Sequence, residues 1–146
     1  MKDQRKVLVV EDDPAIAAIL GRRLENLGYY VMRAGTAHRA SELVNEADIV
    51  FLDLRLPDTS GEDWLHEIRN AGNYVPVVAM SAAVPRRVAL ERMEKFQIVD
   101  FMEKPFTSKE VEEKAWRASE LADQLKFVGV AADRLKGFIE RQNGKH

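Results

Sequence analysis

The sequence contains no cysteine, which excludes disulfides, thiolate metal ligands and thiol nucleophiles. No apolar run approaches the roughly 20 residues of a membrane-spanning helix. Neither sign of charge dominates. Lys and Arg number 22 against 24 Asp and Glu, for a net charge of -2, and the signs are interspersed. That balance leaves no basic footprint for nucleic acid. Met1–Lys6 leads into a short apolar run ended by acids from Glu11, which is not a signal-peptide pattern, so the expected location is cytoplasmic. At 146 residues with 46% hydrophobic content, the chain predicts one globular domain with a real core.

Ile49-Val50-Phe51-Leu52 runs uninterrupted into Asp53, and Pro57 follows. A continuous apolar run between helical patterns predicts a strand buried on both faces. Val7–Val10 is a second such run, stopped by Glu11-Asp12-Asp13-Pro14. Asp13 and Pro14 suit the N-cap and first turn of a helix. In that helix Ile16, Ile19, Leu20, Leu24 and Leu27 form one stripe, and Gly28 ends it. Tyr30–Met32 predicts a short strand, 37–45 a helix, Ser60–Ala71 a helix with Trp64, Leu65 and Ile68 inward. Val75–Met80 predicts the fourth strand, Pro85 opens a fourth helix with Val88, Leu90 and Met93, and Ile98–Met102 predicts the fifth strand. Thr107-Ser108-Lys109-Glu110 is a capping box, with Phe106 and Val111 as its hydrophobic staple. Strands alternating with helices at these spacings predict a doubly wound parallel α/β sheet.

Parallel strands bring their carboxyl ends to one rim, where open α/β sheets bind ligands. The rim would gather Glu11 and Asp12, Asp53, Ser81 and Lys104. Taken singly these are ordinary: a solvated cap run, a turn former, a turn hydroxyl, a surface lysine. Their occurrence at four strand ends is what those readings do not explain together. Crowded carboxylates repel unless a cation sits among them. Oxygen ligands without His or Cys favour a hard ion such as Mg²⁺. A carboxylate, Mg²⁺, a hydroxyl and a Lys can together stabilise a transferring phosphoryl group, with Asp53 as nucleophile.

These residues carry a family resemblance. Val9-Val10-Glu11-Asp12-Asp13-Pro14, Leu52-Asp53-Leu54-Arg55-Leu56-Pro57-Asp58 with Gly61, Met80-Ser81-Ala82, and Asp100-Phe101-Met102-Glu103-Lys104-Pro105-Phe106 resemble the receiver domain of two-component response regulators. The resemblance implies a flavodoxin-like (βα)5 fold with strand order 2-1-3-4-5, the order of the chemotaxis receivers. It implies that Asp53 accepts a phosphoryl group from the phosphohistidine of a sensor histidine kinase or phosphotransfer protein. Asp12, Asp53 and the Arg55 carbonyl would ligate Mg²⁺, with Glu11 acting through a metal-bound water. Ser81 and Lys104 would meet the phosphoryl oxygens. Phe101 takes the aromatic switch position, the Lys104–Pro105 bond is expected cis, and the surface of the fourth helix, fifth strand and fifth helix would change. Such a chain is a signalling module, not an enzyme acting on other substrates.

Two departures stand out. Receivers usually carry a small pair such as Gly-Ala where this chain has Gln97-Ile98, and Phe101 lacks the hydroxyl of the commoner Tyr. Arg55 and Ala83 lie at positions that tune phosphate lifetime in receivers. Arg55 also stands where dehalogenase-like phosphatases need a second Asp, and Glu11-Asp12-Asp13 is electrostatically wrong for a flavin or nucleotide phosphate. Residues 1–126 are read as the receiver and 127–146 as a C-terminal helical extension. A helical pattern from Thr107 to about Phe127 has Val111, Ala115, Leu121 and Leu125 inward. Gly129 then breaks it before a second pattern with Leu135, Phe138 and Ile139 on one stripe. The extension is either a packing helix or a dimer helix or linker stub, and a homodimer through it or through the switch face is the expected alternative assembly.

Overall fold

The computed structural model describes residues 4–82, 84–128, 137 and 139–141, with only the backbone of 126–128. Strands and helices alternate: β1 (Lys6–Val10), α1 (Pro14–Asn26), β2 (Tyr30–Ala34), α2 (Ala37–Leu43), β3 (Ile49–Asp53), α3 (Gly61–Asn70), β4 (Val77–Ser81), α4 (Arg86–Phe96), β5 (Asp100–Glu103) and α5 (Ser108–Val128). The five strands form one sheet in the order β2-β1-β3-β4-β5, and every pairing is parallel. This is the flavodoxin-like arrangement that the sequence pattern and the resemblance led to expect.

The reason lies in the strand sequences. All five residues of β3 are buried, because helices cover both faces of a parallel sheet. Val7, Val9, Ile49, Phe51, Val78 and Met80 face α1 and α5, packing on Leu20, Leu24, Val111, Ala115 and Ala118. Leu8, Val10, Val50, Leu52, Val77 and Ala79 share the other cluster with Ala40, Trp64, Leu65 and Met93 of α2, α3 and α4. Each large side chain fully removed from water here contributes about 1.5–3 kcal/mol. β2 is an edge strand and accordingly carries exposed Tyr30 and Arg33.

Local signals hold at the helix ends. Asp13 caps α1, accepting from the Ala15 and Ile16 amides with Pro14 in the first turn. Thr107 and Glu110 exchange hydrogen bonds as a capping box. Gly28 has a φ of 98°, the left-handed turn that ends α1.

Several details differ from the sequence expectation. Ile19 and Leu27 are exposed, because the buried stripe of α1 is narrower and uses Ala17 and Gly21 beside Leu20 and Leu24. α2 stops at Leu43 and a 3-10 turn, Val44–Glu46, completes it. β4 begins at Val77 rather than Val75, since Pro76 has no N–H for a ladder and supplies only its carbonyl, to Val50. β5 begins at Asp100 rather than Ile98. Gly129, Leu135, Phe138 and Ala83 lie outside the described residues. Ile139 is described. It is 1% exposed and shares a cluster with Leu121 and Leu125 of α5.

Candidate functional site

The ladder register sets the site. Val10 pairs with Leu52, Asp53 with Met80, and Ser81 with Glu103. Glu11, Asp53, Ser81 and Lys104 therefore emerge side by side at the carboxyl edge. The Glu11 amide donates to Ala34 O at 3.0 Å and the Lys104 amide to Ser81 O at 2.9 Å, so backbone bonds fix both ends of the row.

Asp53 is 6% exposed and Glu11 3%, unusual burial for two acids. Asp53 Oδ1 accepts the Arg55 amide at 3.0 Å, and its Oδ2 lies 3.2 Å from Lys104 Nζ. Lys104 also pairs with Glu11 Oε1, while Glu11 Oε2 accepts the Asp13 amide at 3.2 Å. Carboxylate oxygens of Glu11, Asp12 and Asp53 all lie within 4.8 Å of one another. Asp12 is exposed, so the cluster opens to solvent on that side.

Burial and then the neighbouring Asp53 push the Glu11 carboxyl up to about 7, against the opposing pull of Lys104 and the Asp13 amide. For Lys104, burial acts to lower the pKa, but the Glu11 and Asp53 carboxylates outweigh it and the net shift is upward. Three acids and one ammonium leave a surplus of negative charge in a partly dry place. A hard divalent ion would relieve it, and the all-oxygen donor set fits such an ion.

Gly61 explains how Asp53 is held from behind. A Cβ there would lie 2.8 Å from Leu54 Cα and 2.9 Å from the Asp53 carbonyl oxygen. The Gly61 amide donates to Leu54 O at 2.9 Å, and Arg55 bridges Ser60. The loop after Asp53 thus folds tightly back on the strand end.

The other expected residues stand nearby but make different contacts. The Ser81 hydroxyl donates to the Ala82 carbonyl at 2.8 Å. Phe101 is half-buried against the α2–α3–α4 cluster. The Lys104–Pro105 bond is cis.

The contacts of two residues escaped the sequence reading. Asp58, in the loop after Asp53, accepts the Ala37 amide at 2.9 Å and the His38 amide at 3.0 Å. It thereby caps α2 from a distance, and those two amide bonds hold its carboxyl below the usual range. Arg69 is buried at the end of α3. Thr36 caps only the Arg39 amide of α2, which leaves the two preceding amides for Asp58; an Arg in a last helical turn gives no sign of burial.

Comparison with known proteins places this arrangement in context. A family model described as the response regulator receiver domain matches residues 7–115. An uncharacterized transcriptional regulatory protein, YrkP of Bacillus subtilis, is 38% identical over 109 residues, covering 73% of this chain and 46% of that protein. The luminescence regulatory protein LuxO of Vibrio campbellii is 36% identical over 99 residues, covering 66% of this chain and 22% of its own length. The chain spans less than half the length of these curated relatives. Among solved structures, the receiver domain of NtrX from Brucella abortus superposes with a TM-score of 0.71 at 30% identity, covering 78% of this chain and 98% of that one. The signal receiver domain of an HD domain-containing protein from Pseudomonas fluorescens reaches 0.78 at 18% identity, over 88% and 96% of the two chains, and shows the fold.

Proposed function

The chain belongs to the response regulator receiver domain family, and from that membership we propose that Asp53 accepts a phosphoryl group from a protein phosphohistidine in a Mg²⁺-dependent step. The observation that carries this is one buried carboxylate, Asp53, with Lys104 Nζ 3.2 Å away and the Glu11 and Asp12 oxygens within 4.8 Å.

A carboxylate oxygen of Asp53 attacks phosphorus as the bond from phosphorus to the donor imidazole nitrogen breaks. The electron pair returns to that nitrogen, and an acyl phosphate forms on Asp53. Asp12, Asp53 and the Arg55 carbonyl would hold Mg²⁺ with Glu11 behind them, and the ion would supply charge neutralisation at the phosphoryl oxygens. Lys104 supplies the second positive charge. Its ammonium, paired here with Glu11 and 3.2 Å from Asp53 Oδ2, is in reach to turn to the phosphoryl group. Ser81, whose hydroxyl among the described residues bonds only its neighbour's carbonyl, is free to rotate toward a phosphoryl oxygen. Phe101 follows in the switch role, and the α4-β5-α5 face changes.

The partners are a sensor histidine kinase or phosphotransfer protein. Trp116, exposed on α5, offers an apolar contact for a partner or a second copy. Residues 1–126 act as the receiver. Beyond them, burial of Ile139 with Leu121 and Leu125 supports contact of that residue with the receiver itself. A cytoplasmic location is part of the same proposal. Among the described residues no helix is long and apolar enough to cross a membrane.

A melting experiment with Mg²⁺ and beryllofluoride tests the proposal. A ligand that binds only the folded state raises the melting temperature, so the wild type should shift upward and Asp53→Asn should not. Equal shifts in both would refute it.

A further inference from the structure

Arg69 sits in the last turn of α3 and is 7% exposed. Among the described residues no carboxylate pairs with it. Its Nη1 donates to Asn73 O at 3.2 Å and Val75 O at 2.7 Å, and its Nη2 to Gln97 O at 2.8 Å. Nε is buried with no partner among the described residues. A buried cation held only by carbonyls needs compensation. Here it comes from position, because the guanidinium lies at the C-terminal ends of both α3 and α4, where helix dipoles are negative. Burial pulls Arg69 down to about 10, so it stays charged at neutral pH.

The two ends of α4 are held very differently. At its C-terminal end Gln97 takes a left-handed backbone, with φ 57° and ψ 48°, which a residue with a Cβ adopts reluctantly. The Gln97 amide bonds Met93 O, the Ile98 amide bonds Met93 O at 2.9 Å, and the Gln97 carbonyl is the one that Arg69 grips. At the N-terminal end Pro85 gives no side-chain cap and no acid stands in the first turn. Arg86 and Arg87 instead place two cations at the positive end of the helix dipole, which is unfavourable. Met93, one turn from the C-terminal end, is the buried residue of this helix. The loose end is also the one that follows Ser81 in the chain.

We propose that Arg69 is a positioning residue that anchors the C-terminal end of α4 at Gln97, so that the helix answers events at Asp53 by moving at its N-terminal end. The direction of the switch then comes from α3, an element outside the α4-β5-α5 face. This inference rests on the reading of Asp53 as phosphoacceptor, and the test separates the two.

Amide hydrogen exchange resolved along α4 is measured on the full chain, free and with Mg²⁺ and beryllofluoride. In the free wild type the Gln97 and Ile98 amides should exchange about tenfold or more slowly than that of Ala89, since local opening follows local contacts. Adding beryllofluoride should change Val88–Leu90 and leave Gln97 and Ile98 as they were. In Arg69→Met, exchange at Gln97 and Ile98 should accelerate by about tenfold or more, the worth of a charged hydrogen bond, and the beryllofluoride response should spread to them. Unchanged protection of Ala115 and Ala118 would show that the variant is folded. Gln97→Gly keeps the carbonyl and should keep the confined response. If Arg69→Met does not fold, the wild-type profile decides. A wild type that responds equally at both ends of α4, or an Arg69→Met variant that keeps the confined pattern, overturns the anchor alone. No response anywhere in the wild type overturns the phosphoacceptor reading, and the free-state rates and the variant then judge the anchor by themselves.

Discussion

Lys104 Nζ stands 3.2 Å from Asp53 Oδ2, although β3 and β5 are separated in the sheet by β4. The long lysine side chain reaches across the end of β4, which offers the short Ser81 there. With Glu11 as its other partner, Lys104 occupies the position of a cation among acids. A divalent ion entering this site would therefore compete with the ammonium for the same carboxylates.

Lys104→Met removes the internal cation. The three acids then repel without relief, so Mg²⁺ should bind at least as tightly as in the wild type by calorimetry. Phosphorylation of Asp53 should slow by about 10²–10³, the usual cost of losing one charge-stabilising donor. A variant that binds Mg²⁺ more weakly and reacts at the wild-type rate would contradict the role given to Lys104.

Glu11 carries a pH signature. Its pKa rises from 4.5 to about 7 on folding, so the folded chain binds this proton more tightly than the unfolded chain. Its contribution to stability is complete below about pH 4.5 and is lost as pH rises through about 7. Metal-free protein should lose stability across that window, Glu11→Gln should flatten this part of the profile, and Mg²⁺ should bind more tightly at pH 8 than at pH 6 because Glu11 must give up its proton. Denaturant unfolding and Mg²⁺ titration at those pH values check it.

Gly61→Ala would place a methyl group against backbone rather than against a movable side chain. Overpacking of this kind costs about 1–3 kcal/mol, and the displaced atoms belong to Asp53 and Leu54. Denaturant unfolding should report the lost stability, and phosphorylation of Asp53 should slow even where the variant is fully folded.

Much of this was legible in the sequence, for physical reasons. A strand covered on both faces must be apolar throughout, so the acids that end β1 and β3 announce the sheet edge. The Asp13–Pro14 cap and the Thr107–Glu110 box are local and read directly. What was hidden depends on distant chain segments. Asp58 caps a helix that precedes it by many residues, and Arg69 is buried because two helix ends converge on it. Ile19 and Leu27 fit the helical period yet lie outside, since periodicity gives the direction of a stripe and not its width. Gln97 was readable as a departure, and its left-handed backbone is the conformation expected where receivers usually carry Gly; the Arg69 contact with its carbonyl was not readable.

Intact-mass measurement after incubation with Mg²⁺ and acetyl phosphate bears most directly on Asp53 as the phosphoacceptor. The wild type should gain one phosphoryl adduct, removed by hydroxylamine as an acyl phosphate should be, and Asp53→Asn should gain none. An unmodified wild type, or an adduct that forms equally on Asp53→Asn, would contradict the assignment.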